Sequence, residues 1–340
     1  MAAAVLCLLT TAGVLAGCSA RKQYGVATHT DPVTGTCDRS RNVEVGAALD
    51  LSGPGATLNR EYLTGIRTAI AQYDHTGGIL KNHSCLELLY KDDRGSAPVG
   101  DRAVLDLADD EVVAFLVAPS DSTTIRYSGA DLGLAGVPTT TASSLDDVRA
   151  PSGYPMTFPV APSAASQADV MVAYSRKHHW SSVAVAATDD PAGRQGLADL
   201  RARAGRAGLH VTAGLVVDRA HPVSAVLARL RATTPAGLIV VGDSLAVGPI
   251  LAARAALGWS VPTVAPAVAG DGAVVGELGG TGTAGVSAVV PSAVVTPAGG
   301  APVDPSMVAF LAQLRARLPG SDITGSIVAY AEGYDSVAML

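Results

Sequence analysis

The sequence predicts an α/β protein of two lobes, each a doubly wound parallel sheet, joined by hinge crossings. Short apolar runs alternate with segments of helical spacing from about residue 43 onward, the pattern of parallel strands linked by right-handed crossover helices. The alternation pauses once, at an extended stretch 154–160 containing Pro155 and Pro159, and then begins again. A chain of 340 residues also suits two domains of common size better than one core.

The elements follow in order. The run 43–48 reads as a buried strand, and Ser52-Gly53-Pro54-Gly55 as a turn into a helix over 59–73, where Leu63, Ile66, Ala69, Ile70 and Tyr73 keep helical spacing. Gly77-Gly78 stops that helix. A strand over 86–90, a helix over 99–107, a strand over 112–118, a helix over 123–134 and a short strand after Val137-Pro138 complete the first alternation. Beyond 160 the predicted helices are 165–178, 194–207, 223–232 and 247–257, with strands at 183–187, 211–216, 237–241 and 263–266. The glycine-rich run 279–285 and a strand over 286–290 lead into a Pro/Ala/Gly segment, 291–302, which suits a return crossing. Helices over 304–318 and 326–340 then pack back on the first lobe. The expected divisions are a signal at 1–17, a polar tether at 18–41, lobe I at 42–160, lobe II at 161–292, and the return crossing with its helices at 293–340.

Composition narrows the function. A net charge of -6, with no basic cluster interleaved with aromatics, argues against a nucleic-acid surface. Residues 2–17 form an apolar stretch the length of a signal-peptide core, shorter than the roughly 20 residues that span a bilayer. It ends in Leu15-Ala16-Gly17-Cys18, which resembles a bacterial lipobox whose cysteine becomes the site of lipid attachment. The alternative is a plain secretory signal with an incidental cysteine. No Lys or Arg precedes the apolar run, so the true start is expected slightly upstream. Cys7 leaves with the signal, which makes Cys37 and Cys85 a pair in an oxidising compartment. Both precede strands that should lie side by side, so a disulfide is expected, against two unrelated free thiols.

The segments Ala48-Leu49-Asp50-Leu51-Ser52-Gly53-Pro54, Gly77-Gly78-Ile79, Asp92-Asp93, Gly136-Val137-Pro138, Asp189-Asp190, Gly196-Leu197-Ala198 and Ala256-Leu257-Gly258 occur in an order similar to that of the leucine/isoleucine/valine-binding protein family of type I periplasmic binding proteins. The resemblance implies a ligand held between two lobes, closure around it, and an ABC permease and ATPase as the partners that read closure. It also implies that the chain ends early relative to the family. Ser120 then matches the serine that holds a ligand carboxylate, with Ser143 or Ser144 helping from the next loop; Ser122, Thr123 and Thr141 lie near the same strand ends. The alternative for Ser122 and Thr123 is helix capping. Departures bear on the ligand: an expected aromatic is Asp243, an expected acid is Ala267, the first-turn aromatic is Leu58 or Asn59, and a tyrosine beside Gly193 is Ala192. Asp243 is expected either to take an ammonium or hydroxyl donor, or to cap the next helix and face solvent. The ligand implied is small and polar, an amino acid, amide or derivative.

Catalytic readings are weaker. Gly242-Asp243-Ser244-Leu245 is similar to an esterase nucleophile block, yet every histidine lies upstream of Ser244, where the general base of those enzymes follows it. His178 and His179 are adjacent and have no spaced partners for a metal, and Gly279-Gly280-Thr281-Gly282 lacks the Lys-Ser/Thr of a phosphate loop. The expectation is a lipid-anchored, extracytoplasmic solute-binding protein with no cofactor and no metal, not an enzyme. A ligand-sensing lipoprotein on the same fold is the alternative.

Overall fold

A computed structural model describes residues 26–110, 113–243, 245–294, 304–318 and 325–339. Cys18, the signal segment and Ser244 lie outside the described residues. In chain order the elements are β1 (Thr28–Thr30), β2 (Asp38–Leu49), α1 (Ala56–His75), β3 (Ser84–Asp92), α2 (Ala97–Leu105), β4 (Phe115–Val117), α3 (Ser122–Tyr127), α4 (Gly129–Ala135), β5 (Thr139–Thr141) and β6 (Thr157–Pro159). The chain then crosses to α5 (Ala164–Lys177), β7 (Ser182–Thr188), α6 (Pro191–Ala207), β8 (His210–Val217), α7 (Val223–Ala232), β9 (Gly237–Val241), α8 (Val247–Ala256), β10 (Thr263–Pro266), α9 (Gly272–Thr283) and β11 (Val286–Val289). Helices α10 (Pro305–Arg317) and α11 (Ile327–Ala338) follow.

Two sheets result. Lobe I has the order β1-β3-β2-β4-β5-β6 and lobe II the order β11-β10-β9-β7-β8. Every pairing is parallel except β1 with β3. Strands buried on both faces explain the continuous apolar runs: Val183 to Ala187 and Leu238 to Val240 are fully buried, with Leu227, Leu230, Ile250 and Leu251 packed over one face. Helix α11 returns to lobe I as the sequence implies. Gly65 of α1 faces the Tyr330 carbonyl and Gly333 of α11 faces the Tyr62 carbonyl, each so close that a Cβ would lie within about 2.1 Å of oxygen. Glycine at both positions lets the two helix backbones touch.

The structure departs from the sequence reading in four places. The expected tether is partly strand: residues 28–30 form β1 and β2 begins at Asp38, both polar there; β1 stays in place through Arg67–Asp31 at 2.5 Å and His29 stacked on Tyr90 at 5.1 Å, so hydropathy does not reveal them. The strand expected over 112–118 is confined to Phe115–Val117. The helix expected over 123–134 is two helices meeting at Ser128, where the Tyr154 ring crosses so close to Gly129 that a Cβ would lie 2.6 Å from the phenol oxygen. The glycine-rich run belongs to α9, interrupted at Gly279, whose φ of 61° breaks the helix. On β8, the Arg201 guanidinium donates to the Gly214 carbonyl at 2.7 Å.

Asp38 of β2 pairs with Ser84 of β3, which sets the preceding and following cysteines against each other. Cys37 and Cys85 are disulfide-bonded, with Cα atoms 5.1 Å apart. Asp74 lies against them, but both sulfurs are tied up in the bridge and are not thiolates available to a metal.

Candidate functional site in the interlobe cleft

Each sheet reverses its winding once, and at that point the loops leaving neighbouring strands diverge into a crevice. In lobe I the point lies between β2 and β4, where the turn 50–55 and Ser120-Asp121 emerge. In lobe II it lies between β7 and β9, where Asp189-Asp190 and Gly242-Asp243 emerge. The two face each other across a cavity of about 290 Å³, close to the lower end of small-molecule sites. Asp50, Asn59, Asp93, Ser120, Asp121 and Ser144 line it from lobe I, Asp243 and Leu245 from lobe II, and Val328, Ala329 and Glu332 from α11.

Hydrogen bonds cross the cleft. Ser122 Oγ donates to Asp243 Oδ1 at 3.1 Å and lies 3.4 Å from Asp190 Oδ1, while it accepts the Ala192 N–H at 3.2 Å. Ser144 Oγ donates to Asp243 Oδ2 at 3.2 Å. Farther along the same seam, Gln195 accepts the Asp146 N–H and donates to its carboxylate, both at 3.1 Å. Gly242 makes the approach possible: its φ is 140°, and a Cβ there would lie 1.9 Å from Thr188 Oγ1, so only glycine turns the chain into the cleft at this point.

A family model described as "Periplasmic binding protein" matches residues 42–340. The chain is a periplasmic binding protein. Solved structures agree in fold. A type 1 periplasmic binding protein from Bordetella pertussis Tohama I is 19% identical, with a TM-score of 0.76 over 88% of this chain and 83% of that one. A branched-chain amino acid transporter substrate-binding protein from Streptococcus pneumoniae, in complex with isoleucine, is 18% identical with a TM-score of 0.74 over 88% and 82%. An ABC transporter solute-binding protein from R. palustris, in complex with 4-hydroxybenzoate, is 15% identical with a TM-score of 0.76 over 88% and 79%. No curated protein matches the sequence. The family is one of extracytoplasmic solute-binding proteins, and among the described residues no helix is long and apolar enough to cross a membrane.

The residues singled out in the sequence separate into two groups in the binding protein. Ser120, Ser144 and Asp243 line the cavity, and Ser122 stands directly behind Asp243. Thr123, Thr141 and Ser143 do not reach it. Thr123 is exposed, and the cap of α3 is Asp121, which accepts the N–H groups of Thr123 and Thr124 at 3.1 and 2.8 Å. The Thr141 hydroxyl donates to the Pro119 carbonyl at 2.8 Å, and the Ser143 hydroxyl accepts the Leu145 N–H at 3.3 Å. These two brace the loops after the strands. Nor does Asp243 cap α8, whose first turn has no side-chain cap.

The cleft holds more acid than the motifs suggest. Burial, with Asp190 and Asp121 close by, pushes the Asp243 carboxyl up to about 8, against the opposing effect of its two serine hydrogen bonds. The carboxyl still touches the cavity space, so it is enclosed by protein and open only to the cleft. Burial together with Asp335 and Asp243 pushes Glu332 to about 8 as well. Asp93 rises to about 7, through burial first and the neighbouring Asp121, Asp50 and Asp92 next. Glu332 escaped the sequence reading because it sits mid-helix outside any motif; its one signal is the three-residue spacing from buried Ala329.

Proposed function

We propose that this periplasmic binding protein captures a small polar ligand, an amino acid, an amide or a derivative of one, between its lobes and presents it to an ABC permease and ATPase. The observation that carries the reading is the cavity shared by the two facing switch points, walled by hydroxyls, carboxyls and apolar side chains of both lobes. Closure is a population shift that the ligand drives by touching both lobes at once. The solved relatives that hold isoleucine and 4-hydroxybenzoate support a ligand of this size. Ser122 and Ser144 donate hydrogen bonds to Asp243 across the cleft, a donor–acceptor wall suited to holding a polar solute. We place the mature chain on the outer face of the cytoplasmic membrane through a lipid on Cys18, since two acyl chains hold a protein stably where one does not.

Two experiments test this. Native mass spectrometry of the purified protein should find a small polar molecule retained at one per chain, and a wholly apolar molecule in its place would refute the reading of the cleft. Fatty-acid labelling should mark the wild type and leave Cys18→Ala unmarked; equal labelling would remove the anchor.

A further inference from the structure

We propose that the ligand is a small organic cation, an ammonium on a compact apolar body without a carboxylate, held between Asp243 and Glu332. The inference rests on the solute-binding reading and narrows its ligand class.

Charge is the first argument. Five carboxyl groups line the cavity, those of Asp50, Asp93, Asp121, Asp243 and Glu332, and no Lys, Arg or His lines it among the described residues. The internal segments outside the described residues contain none of these three residue types either. Carboxyls gathered in a closing cleft repel one another unless protons or a counter-charge neutralise them, and no side chain of the wall supplies a counter-charge.

Hydrogen-bond capacity is the second argument. An anionic ligand needs donors, and apart from the Ser120 hydroxyl most side-chain donors at the wall are engaged elsewhere. Ser122 and Ser144 donate to Asp243, the Asn59 amide donates to the Gly55 carbonyl at 3.1 Å, and the Gln167 amide donates to the Pro162 carbonyl at 3.1 Å. Asp243 thus occupies the Ser144 hydroxyl, one of those on which a ligand carboxylate would otherwise rest. Acceptors, by contrast, remain. The Asp50 oxygens and Asp121 Oδ1 are taken by backbone N–H groups, but no donor among the described residues meets the Glu332 carboxyl, whose helix neighbour Ser336 donates to the main-chain carbonyl. An ammonium offers three donors and no acceptor, which suits this wall.

The apolar part of the ligand has its own place. Leu58, Tyr62, Ala142, Val268, Val289 and Val328 line the same cavity, and at about 290 Å³ there is room for a short branched chain or one ring, not for an extended polycation. The raised carboxyls support the arrangement. Burial and like charge favour the protonated forms of Asp243 and Glu332 in the empty protein, and a bound ammonium would draw both toward ionisation and release protons to solvent.

Matched probes test the proposal by titration calorimetry on the full-length mature chain. Isopentylamine, leucinamide, leucine and isovalerate share an isobutyl body; benzylamine and benzoate share a phenyl ring. The amines and leucinamide are expected to bind at least tenfold more tightly than leucine or the carboxylates. Their apparent heats should vary with the ionisation enthalpy of the buffer, as proton release requires. Glu332→Gln should weaken isopentylamine at least tenfold, with thermal unfolding of the empty variant confirming that it is folded. If a carboxylate or leucine binds as tightly as its matched amine, or if amine heats are independent of buffer, the cation proposal is overturned while solute binding stands. If no probe binds, the cation proposal also falls; if native mass spectrometry then finds nothing retained, solute binding falls with it.

Discussion

Lobe I and lobe II both bring carboxyls to the cavity, but they play different parts where they touch. Lobe I offers hydroxyls at the ends of β4 and β5, while lobe II offers the carboxylate of Asp243 on a glycine-hinged turn, and the two meet as donor and acceptor. They also differ in how they are held together. The five strands of lobe II sit between layers of fully buried Leu, Ile and Val, whereas lobe I adds a disulfide, a polar antiparallel strand and a helix from the far end of the chain. Both lobes have fully buried cores, and the lobe assembled from distant segments adds cross-links to its own.

The largest expected effect follows from that difference. Replacing both Cys37 and Cys85 by serine opens a 48-residue separation and should cost about 4 kcal/mol in the chain-entropy picture. Denaturant unfolding should then resolve into two steps, lobe I melting first; a single shifted transition would mean that the lobes unfold as one unit, and an unshifted one that the bridge adds no stability. The complementary change, Leu227→Ala, empties a fully buried site in lobe II and should cost about 3 kcal/mol. It should lower the second step and leave the first in place.

A third prediction concerns the meeting of the lobes. Asp243 and Glu332 are raised to about 8 and Asp93 to about 7, above the roughly 4 of carboxyls in the unfolded chain. Asp190, Asp121 and Asp335 stand around the first two, and all carry the same sign. The empty folded protein therefore keeps protons that the unfolded chain has released, and its stability should fall as pH rises from about 4 to about 8. Melting temperatures measured across that window should decline, and the decline should flatten in Asp243→Asn and in Glu332→Gln. A melting temperature that climbs with pH would contradict this.

The smallest effects separate bracing hydroxyls from binding ones. Ser143→Ala removes the acceptor of one backbone N–H and should cost about 1 kcal/mol of stability while leaving ligand affinity unchanged. Ser144→Ala should do the reverse: it frees one oxygen of Asp243 and alters affinity more than unfolding. Equal effects of the two on affinity would erase the distinction drawn between them.

Much of this was legible in the sequence. Parallel strands buried on both faces write themselves as apolar runs, so the strands of lobe II appear almost at their observed limits, and Pro155 and Pro159 flag the crossing. That Ser120, Ser144 and Asp243 line the cavity was legible through the family resemblance, together with the topology that opens a crevice at the strand ends. The rest depends on contacts between segments far apart in the chain. β1 has no apolar pattern and exists by pairing with β3; the break at Ser128 depends on Tyr154; Glu332 enters the cavity only because Gly65 and Gly333 let α11 approach α1. Among the serines and threonines, local spacing could not tell a hydroxyl facing the cleft from one bonded to a neighbouring carbonyl, since Thr141, Ser143 and Ser144 lie within four residues.

The outer strands bear on crowding. Those of lobe I, β1 and β6, are three residues long, and β6 ends in Pro159, which has no N–H to offer. In lobe II, β11 has four residues, and the longer β8 has a slipped register between Val183 and Ala184 of its partner and the Arg201 guanidinium on its Gly214 carbonyl. None of the four presents a long, regular row of free backbone groups on which another copy could add a strand. Blunted edges of this kind let two open sheets stay apart when copies of the protein meet at high concentration, without coalescing into aggregates.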